Sequence, residues 1–233
     1  DDEILAECRT HNPEEGYTDI YFTDPLNNLN IQFCRVSESV PELEIHGFLM
    51  MNDEPGFSYT TIGINGAGLY TYLANVRFEE QLKSYPPDFF AYSVGTNDGN
   101  VPYADFKPQV YKANLEKMMQ IALRSNPNCA LLLTVPNDSY YHRRYLNKNI
   151  ARERDMIREL AAKYDMAVWD LYGLMGGLGS SKTWKLNGLM RSDLVHFTYP
   201  GYHFKGELYI DGLLKFMDQM EEQKMSNQSE EGL

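Results

Sequence analysis

The feature that most constrains this chain is an alternation that sets in at Tyr59, where short apolar runs and longer amphipathic stretches take turns. Residues 89–94 and 129–135 are apolar without period-two alternation, as expected of parallel strands covered on both faces. Between them, 106–125 repeats apolar side chains at helical spacing, and Asn126-Pro127-Asn128 stops that helix. Ahead of them, Tyr59 to Ile64 predicts a short strand, and 69–84 predicts a helix with apolar positions at Leu69, Tyr72, Leu73, Val76 and Leu82. After them come a helix over 147–164, a strand over 166–171, a Gly-rich loop and a last helix over 205–224 that packs Leu208, Leu213, Leu214, Phe216 and Met217. Such alternation specifies an open parallel α/β sheet with helices on both faces, residues 59–225. Ligands of these sheets sit at the carboxyl ends of the strands.

Residues 1–58 follow another rule. The runs 17–22, 31–36 and 43–50 alternate in the manner of half-buried strands and are separated by turn signals such as Asp24-Pro25-Leu26-Asn27-Asn28. They predict part of a β-sandwich, incomplete on its N-terminal side because three strands do not close one. The last residues, 226–233, are polar and are expected to be a disordered tail.

A formal net charge of -12 argues against nucleic acid and anionic membranes as partners through bulk electrostatics. No run is long enough to span a membrane and no signal-peptide pattern is present. The chain opens Asp1-Asp2, as a mature form, a trimmed chain or a fragment would. Cys8, Cys34 and Cys129 match no zinc spacing and cannot all pair, so buried free thiols are expected, with a Cys8–Cys34 bridge as the alternative. His196 and His203 match no metal-ligand pattern either, and no cofactor is implied.

Chemistry concentrates near the end of the Gly-rich loop. Asp193 and His196 stand three positions apart, so the carboxylate can fix the imidazole tautomer and leave the other ring nitrogen as a general base. As an isolated pair, they are more simply an ordinary loop histidine and its hydrogen-bond partner. Two further segments follow predicted strands and fall on the same rim: Gly63-Ile64-Asn65-Gly66-Ala67 and Gly95-Thr96-Asn97-Asp98. An Asn amide and an N–H on a sharp Gly turn can both donate to an oxygen that gains negative charge. Turn and capping roles for Asn97, and backbone freedom for Gly66, are the plainer alternatives.

These three segments, in this order, resemble the SGNH (GDSL-like) hydrolases, flavodoxin-like α/β esterases, over about residues 59–224. The resemblance implies that Gly66 and Asn97 form the oxyanion hole and that Asp193 and His196 are the acid and base of a Ser-His-Asp mechanism. It also implies a nucleophile in a Gly-Asp-Ser block at the end of the first sheet strand, and no such block occurs here. Ser39, in Val36-Ser37-Glu38-Ser39, is the nearest imitation, but a strand-like run rather than a helix follows it. The wording of the Gly66 and His196 segments is similar to bacterial peptidoglycan and carbohydrate O-acetylesterases with an inserted β-sandwich module. On that resemblance, residues 1–58 are the back half of a carbohydrate-binding-like module, the first core strand with its serine lies upstream, and the slot left in the sheet is filled by an upstream segment, an N-terminal strand of this chain or another chain. The implied substrate is then an acylated carbohydrate or small ester, outside the cytoplasm. The competing expectation is a degenerate, non-catalytic relative that binds glycan. Among the remaining aromatics, Tyr140-Tyr141-His142-Arg143-Arg144 is either a sugar-stacking loop or a solvated one, Trp169 is a core residue, and Trp184 either borders the substrate or pins its loop.

Overall fold

The computed structural model describes residues 8–231 except 14–15, 23–25, 36, 40–41, 43 and 53. The chain divides into two units, one ending at Ile62 and the other beginning at Gly63.

In the first unit, β1 (Cys8–Asn12) and β2 (Tyr17–Tyr21) pair antiparallel from Cys8 opposite Tyr21 to Asn12 opposite Tyr17. The Gly16 N–H closes the hairpin on the Asn12 carbonyl at 2.9 Å. The predicted strand over 17–22 is therefore present as β2. The predicted strands over 31–36 and 43–50 are not: their described residues join no ladder, and Phe33 and Phe48 stay exposed with ring centroids 6.4 Å apart. Val36 and Leu43 lie outside the described residues. The run 59–64 likewise forms no strand, and Tyr59 is 84% exposed. Alternation prepares one face of a strand, but a strand also needs a neighbour to accept its backbone bonds. Cys34 is exposed and unbridged, contrary to the expectation of burial, whereas Cys129 is buried.

The second unit opens with α1 (Leu69–Leu73) and α2 (Phe78–Ser84), where one helix was predicted. Asn75 divides them: its carbonyl accepts the Phe78 N–H and its side chain the Arg77 N–H, which leaves Val76 93% exposed. Then follow β3 (Phe89–Tyr92), α3 (Thr96–Gly99), α4 (Pro108–Ser125) and β4 (Ala130–Val135). A small hairpin, β5 (Tyr140–Tyr141) with β6 (Tyr145–Leu146), precedes α5 (Asn149–Tyr164) and β7 (Ala167–Asp170). The Gly-rich loop holds two short helices, α6 (Leu171–Met175) and α7 (Ser180–Leu186). The last described element is α8 (Tyr199–Glu231), which starts six residues earlier than predicted and extends to Glu231, into the 226–233 stretch expected to be a disordered tail.

β3, β4 and β7 form a parallel sheet in that order, with Phe89 opposite Ala130 and Leu132 opposite Ala167. Successive β4 side chains serve opposite faces. Leu131, Leu133 and Val135 join a core with α4 and α5 residues such as Leu115, Met119, Ile157 and Leu160. Leu132 joins a second core with Trp169, Leu171, Met175, Trp184 and Phe197, against which Leu208 and Tyr209 of α8 pack. The sheet is thus covered on both faces, as its unbroken apolar strands require. Beyond those contacts α8 departs from expectation: Leu214, Phe216 and Met217 are 55%, 44% and 51% exposed. No helix among the described residues is long and apolar enough to cross a membrane.

Candidate active site

The turn that carries Asp193 and His196 is built by backbone bonds. Leu194 N–H donates to the Arg191 carbonyl at 3.1 Å, and Arg191 N–H to the His196 carbonyl at 2.8 Å. Leu194 takes φ +58 with its side chain buried, a conformation that L residues adopt at a cost of about 1–3 kcal/mol when the surroundings enforce it. Two anchors enforce it. The Leu194 carbonyl accepts the Tyr140 N–H at 3.1 Å, and Asn137 Nδ2, just past the end of β4, donates to the Val195 carbonyl at 3.1 Å. Phe197 then drops into the second core, 2% exposed, with its ring 5.7 Å from Trp184. Trp184 is itself buried and donates to the Met175 carbonyl at 3.3 Å, so it pins the loop. Trp169 is buried, in keeping with its predicted core role.

Within this turn, Asp193 Oδ1 accepts the N–H groups of Val195 and His196, each at 2.9 Å, and Oδ2 lies 3.1 Å from His196 Nδ1. Partial burial pushes the Asp193 carboxyl upward, but the two N–H bonds and His196 outweigh it and hold the group below its ordinary value. With Nδ1 directed at the carboxylate, Nε2 is the free basic nitrogen, on an imidazole whose side chain is 61% exposed.

Gly66 and Asn97 are brought together separately. Ala67 N–H donates to the Ile64 carbonyl at 3.2 Å across a tight turn in which Gly66 takes φ +75, the value that favours glycine there. Asn97 Nδ2 donates to the Ala67 carbonyl at 2.8 Å. The next residue, Asp98, accepts the Leu69 N–H on both oxygens, at 3.0 and 3.2 Å. Two adjacent side chains of α3 therefore grip the segment 66–69. α3 follows β3 and Asn137 follows the adjacent parallel β4, so both halves of the site stand on the carboxyl rim of the sheet. A cavity of about 20 Å³ lies on the same rim, lined by Ser93, Thr96, Asn137 and Lys205 among others, and burial lowers the Lys205 amine below its ordinary value.

Ser39 belongs to the first unit, where its hydroxyl shares a 2.7 Å bond with that of Ser37. No serine of the second unit hydrogen-bonds the His196 ring among the described residues. Nor do the described residues contain a group of three His, Cys, Asp or Glu side chains that could hold a metal ion, and the His203 ring packs tilted against Tyr199 with centroids 4.5 Å apart.

Glu153 is a residue that sequence reasoning overlooked. It is fully buried, and neither carboxylate oxygen has a hydrogen-bond partner. It sits under the Asn97 turn: a Cβ on Gly95 would lie 3.0 Å from Oε2 and one on Gly99 2.6 Å from Oε1. Burial and the neighbouring Asp98 raise its carboxyl well above the ordinary range, which favours the protonated form. Asn149, one helical turn earlier on α5, donates to the carbonyls of Gly99 and Val101 at 3.0 and 2.9 Å. Nothing in the sequence signals either role, because both residues look like ordinary polar positions of an amphipathic helix.

A parallel sheet with an acid–histidine turn and an asparagine turn on its carboxyl rim defines a class, the α/β ester hydrolases of SGNH type. More narrowly, the chain belongs to the GDSL-like lipase/acylhydrolase family, whose model matches residues 50–204. No match was found among curated proteins. Among solved structures, the fold is similar to that of a peptidoglycan O-acetylesterase, with TM-score 0.62 and 22% identity over 67% of this chain and 46% of that one. This chain therefore spans less than half the length of that relative. It is also similar to the acetyl xylan esterase AlAXEase (TM-score 0.52, 21% identity, 65% of this chain and 78% of that one). A GDSL-like lipase from Bacteroides thetaiotaomicron is a third (TM-score 0.52, 20% identity, 66% and 74%).

Proposed function

We propose that this chain is part of a serine esterase that removes acetyl groups from a carbohydrate such as peptidoglycan, acting outside the cytoplasm. The carrying observation is the 3.1 Å contact between Asp193 and His196 Nδ1, with the other carboxylate oxygen fixed by two backbone N–H groups. In this reading, His196 Nε2 takes the proton of a serine supplied from outside these residues, by an upstream segment or another chain. The serine oxygen attacks the acyl carbon, and His196 returns the proton to the leaving sugar hydroxyl. Water then attacks the acyl-enzyme by the same route in reverse. The developing oxyanion is held by the Gly66 N–H and by the second N–H of the Asn97 amide, the first being engaged by the Ala67 carbonyl. The peptidoglycan O-acetylesterase and acetyl xylan esterase neighbours support an acetylated glycan as the substrate.

The test uses the polypeptide with its upstream segment and an acetylated glycan. His196→Ala is expected to abolish acetate release with the fold intact. Undiminished release by this variant would overturn the reading. A second reading, a catalytically incomplete glycan-binding relative, is favoured by the absence of a serine bonded to His196 among the described residues. It predicts retained glycan binding with no acetate release from the wild-type polypeptide.

A further inference from the structure

The hairpin β5–β6 is an odd piece of construction. Its turn, His142–Arg144, places His142 at φ +50 and Arg143 at φ +60, with the Arg144 N–H on the Tyr141 carbonyl at 3.2 Å. Consecutive positive φ values in a tight hairpin normally call for Asn-Gly, so His-Arg is a costly choice unless the side chains are needed there. The side chains form a surface. Tyr141 and Tyr145 are paired across the hairpin, and Tyr145 is 56% exposed. The His142 ring meets Tyr141 edge-on at 4.2 Å, and the Arg144 guanidinium lies 5.4 Å over Tyr145. Arg143 projects from the tip, exposed.

Two further facts say what this surface takes. First, the hairpin is tied to the Asp193–His196 turn by the Tyr140 N–H on the Leu194 carbonyl. Second, in a chain of net charge -12, the cations at this corner, Arg143, Arg144, Lys182 and Arg191, form no ion pair among the described residues. Tyrosine faces suit the C–H face of a sugar ring, and guanidinium forks suit a carboxylate.

We propose that the 140–146 hairpin is a glycan subsite beside His196, and that Arg143 and Arg144 select sugars bearing a carboxylate. Its place at a catalytic rim rests on the esterase reading; the binding itself does not. The test is calorimetric titration of the full chain with an oligogalacturonate and with a xylo-oligosaccharide of equal length, at low and high salt. The acidic oligomer is expected to bind about tenfold or more tightly than the neutral one, as charge-assisted bidentate bonds imply, with the margin shrinking as salt rises. The double variant Arg143→Gln, Arg144→Gln should lose that margin and keep its neutral affinity, while Tyr145→Ala should weaken both ligands. All three side chains are exposed, and circular dichroism checks that the fold persists. Equal affinity for the two oligomers, or a margin that survives in the double variant, overturns the proposal. Acid preference without acetate release in the longer polypeptide would sink the esterase reading and leave the subsite standing. Acetate release without acid preference would do the reverse.

Discussion

Asp193 uses both carboxylate oxygens within one turn: Oδ1 receives the Val195 and His196 N–H groups at 2.9 Å, and Oδ2 meets His196 Nδ1 at 3.1 Å. Asp193→Asn separates these duties. Its amide oxygen can still accept the two N–H groups, but the NH₂ end now donates toward Nδ1 and forces the proton onto Nε2. The turn should persist while acetate release by the longer polypeptide falls on the order of a thousandfold or more. Imidazole ¹⁵N shifts of His196 check the tautomer directly. Wild-type shifts in the variant would remove Asp193 from an orienting role.

The same carboxyl sets a pH dependence. Its folded-state value lies below the ordinary one, so its stabilisation is complete above the unfolded value of about 3.9 and is lost as pH falls through the folded value. Chemical denaturation of wild type and Asp193→Asn over the acid range should show the variant losing less stability as the solution is acidified. Parallel acid limbs would contradict this.

Asn97→Ala removes the donor on the Ala67 carbonyl and the proposed oxyanion donor together. Asp98 still grips Leu69, so the segment should stay in place and stability should change by only about 0.5–1.5 kcal/mol, the worth of one ordinary hydrogen bond. Turnover should fall about a hundredfold or more with KM little changed. A loss confined to KM would mark Asn97 as a substrate contact instead.

What could be read from the residues depended on how local the determinant was. α4, β4, α5 and β7 were legible because each carries its own period or an unbroken apolar run over its whole length. Asp193 and His196 were legible because their relation is a three-residue spacing. The runs 31–36, 43–50 and 59–64 misled because period two states which face a strand would bury and nothing about whether a neighbour exists. Val76 fits a helical stripe, yet the Asn75 side chain ends the helix first. The 140–146 hairpin was hidden because His142 and Arg143 are not turn formers. Glu153 was hidden because burial of a carboxyl is decided by glycines fifty-odd positions away, at Gly95 and Gly99.

Gly201 tests the packing that holds the dyad turn. It lies in the first turn of α8, and a Cβ there would clash with the Leu189 carbonyl, well inside van der Waals contact distance, and lie close to the Phe197 side chain. Leu189 cannot retreat freely, because its carbonyl accepts the Thr198 N–H and its own N–H donates to the Trp184 carbonyl. Gly201→Ala should therefore destabilise by about 1–3 kcal/mol as overpacking does, and lower turnover with it. A wild-type Tm would show that α8 can slide relative to the loop.

Glu153 yields a prediction whose sign is opposite to that of Asp193. It is buried beneath Gly95 and Gly99, near Asp98 of α3 and the unpartnered Tyr111 hydroxyl of α4, and burial raises its carboxyl well above the ordinary range. Above the unfolded value of about 4.3 the unfolded chain has released this proton and the folded chain has not. The fold then loses about 1.4 kcal/mol of stability per pH unit until the raised folded value is passed. Glu153→Gln keeps the shape and cannot ionise, so its stability relative to wild type should grow with pH at about that slope. Asp98 also titrates upward on burial, but it is present in both proteins and cancels from the difference. Glu153→Ala, by contrast, removes the support under the Asn97 turn and should shift the Asn97 side-chain amide resonances, which Glu153→Gln should leave in place. A stability difference between wild type and Glu153→Gln that is flat from about pH 5 to pH 8 would mean that the acid is solvated and does not carry its proton inside the fold.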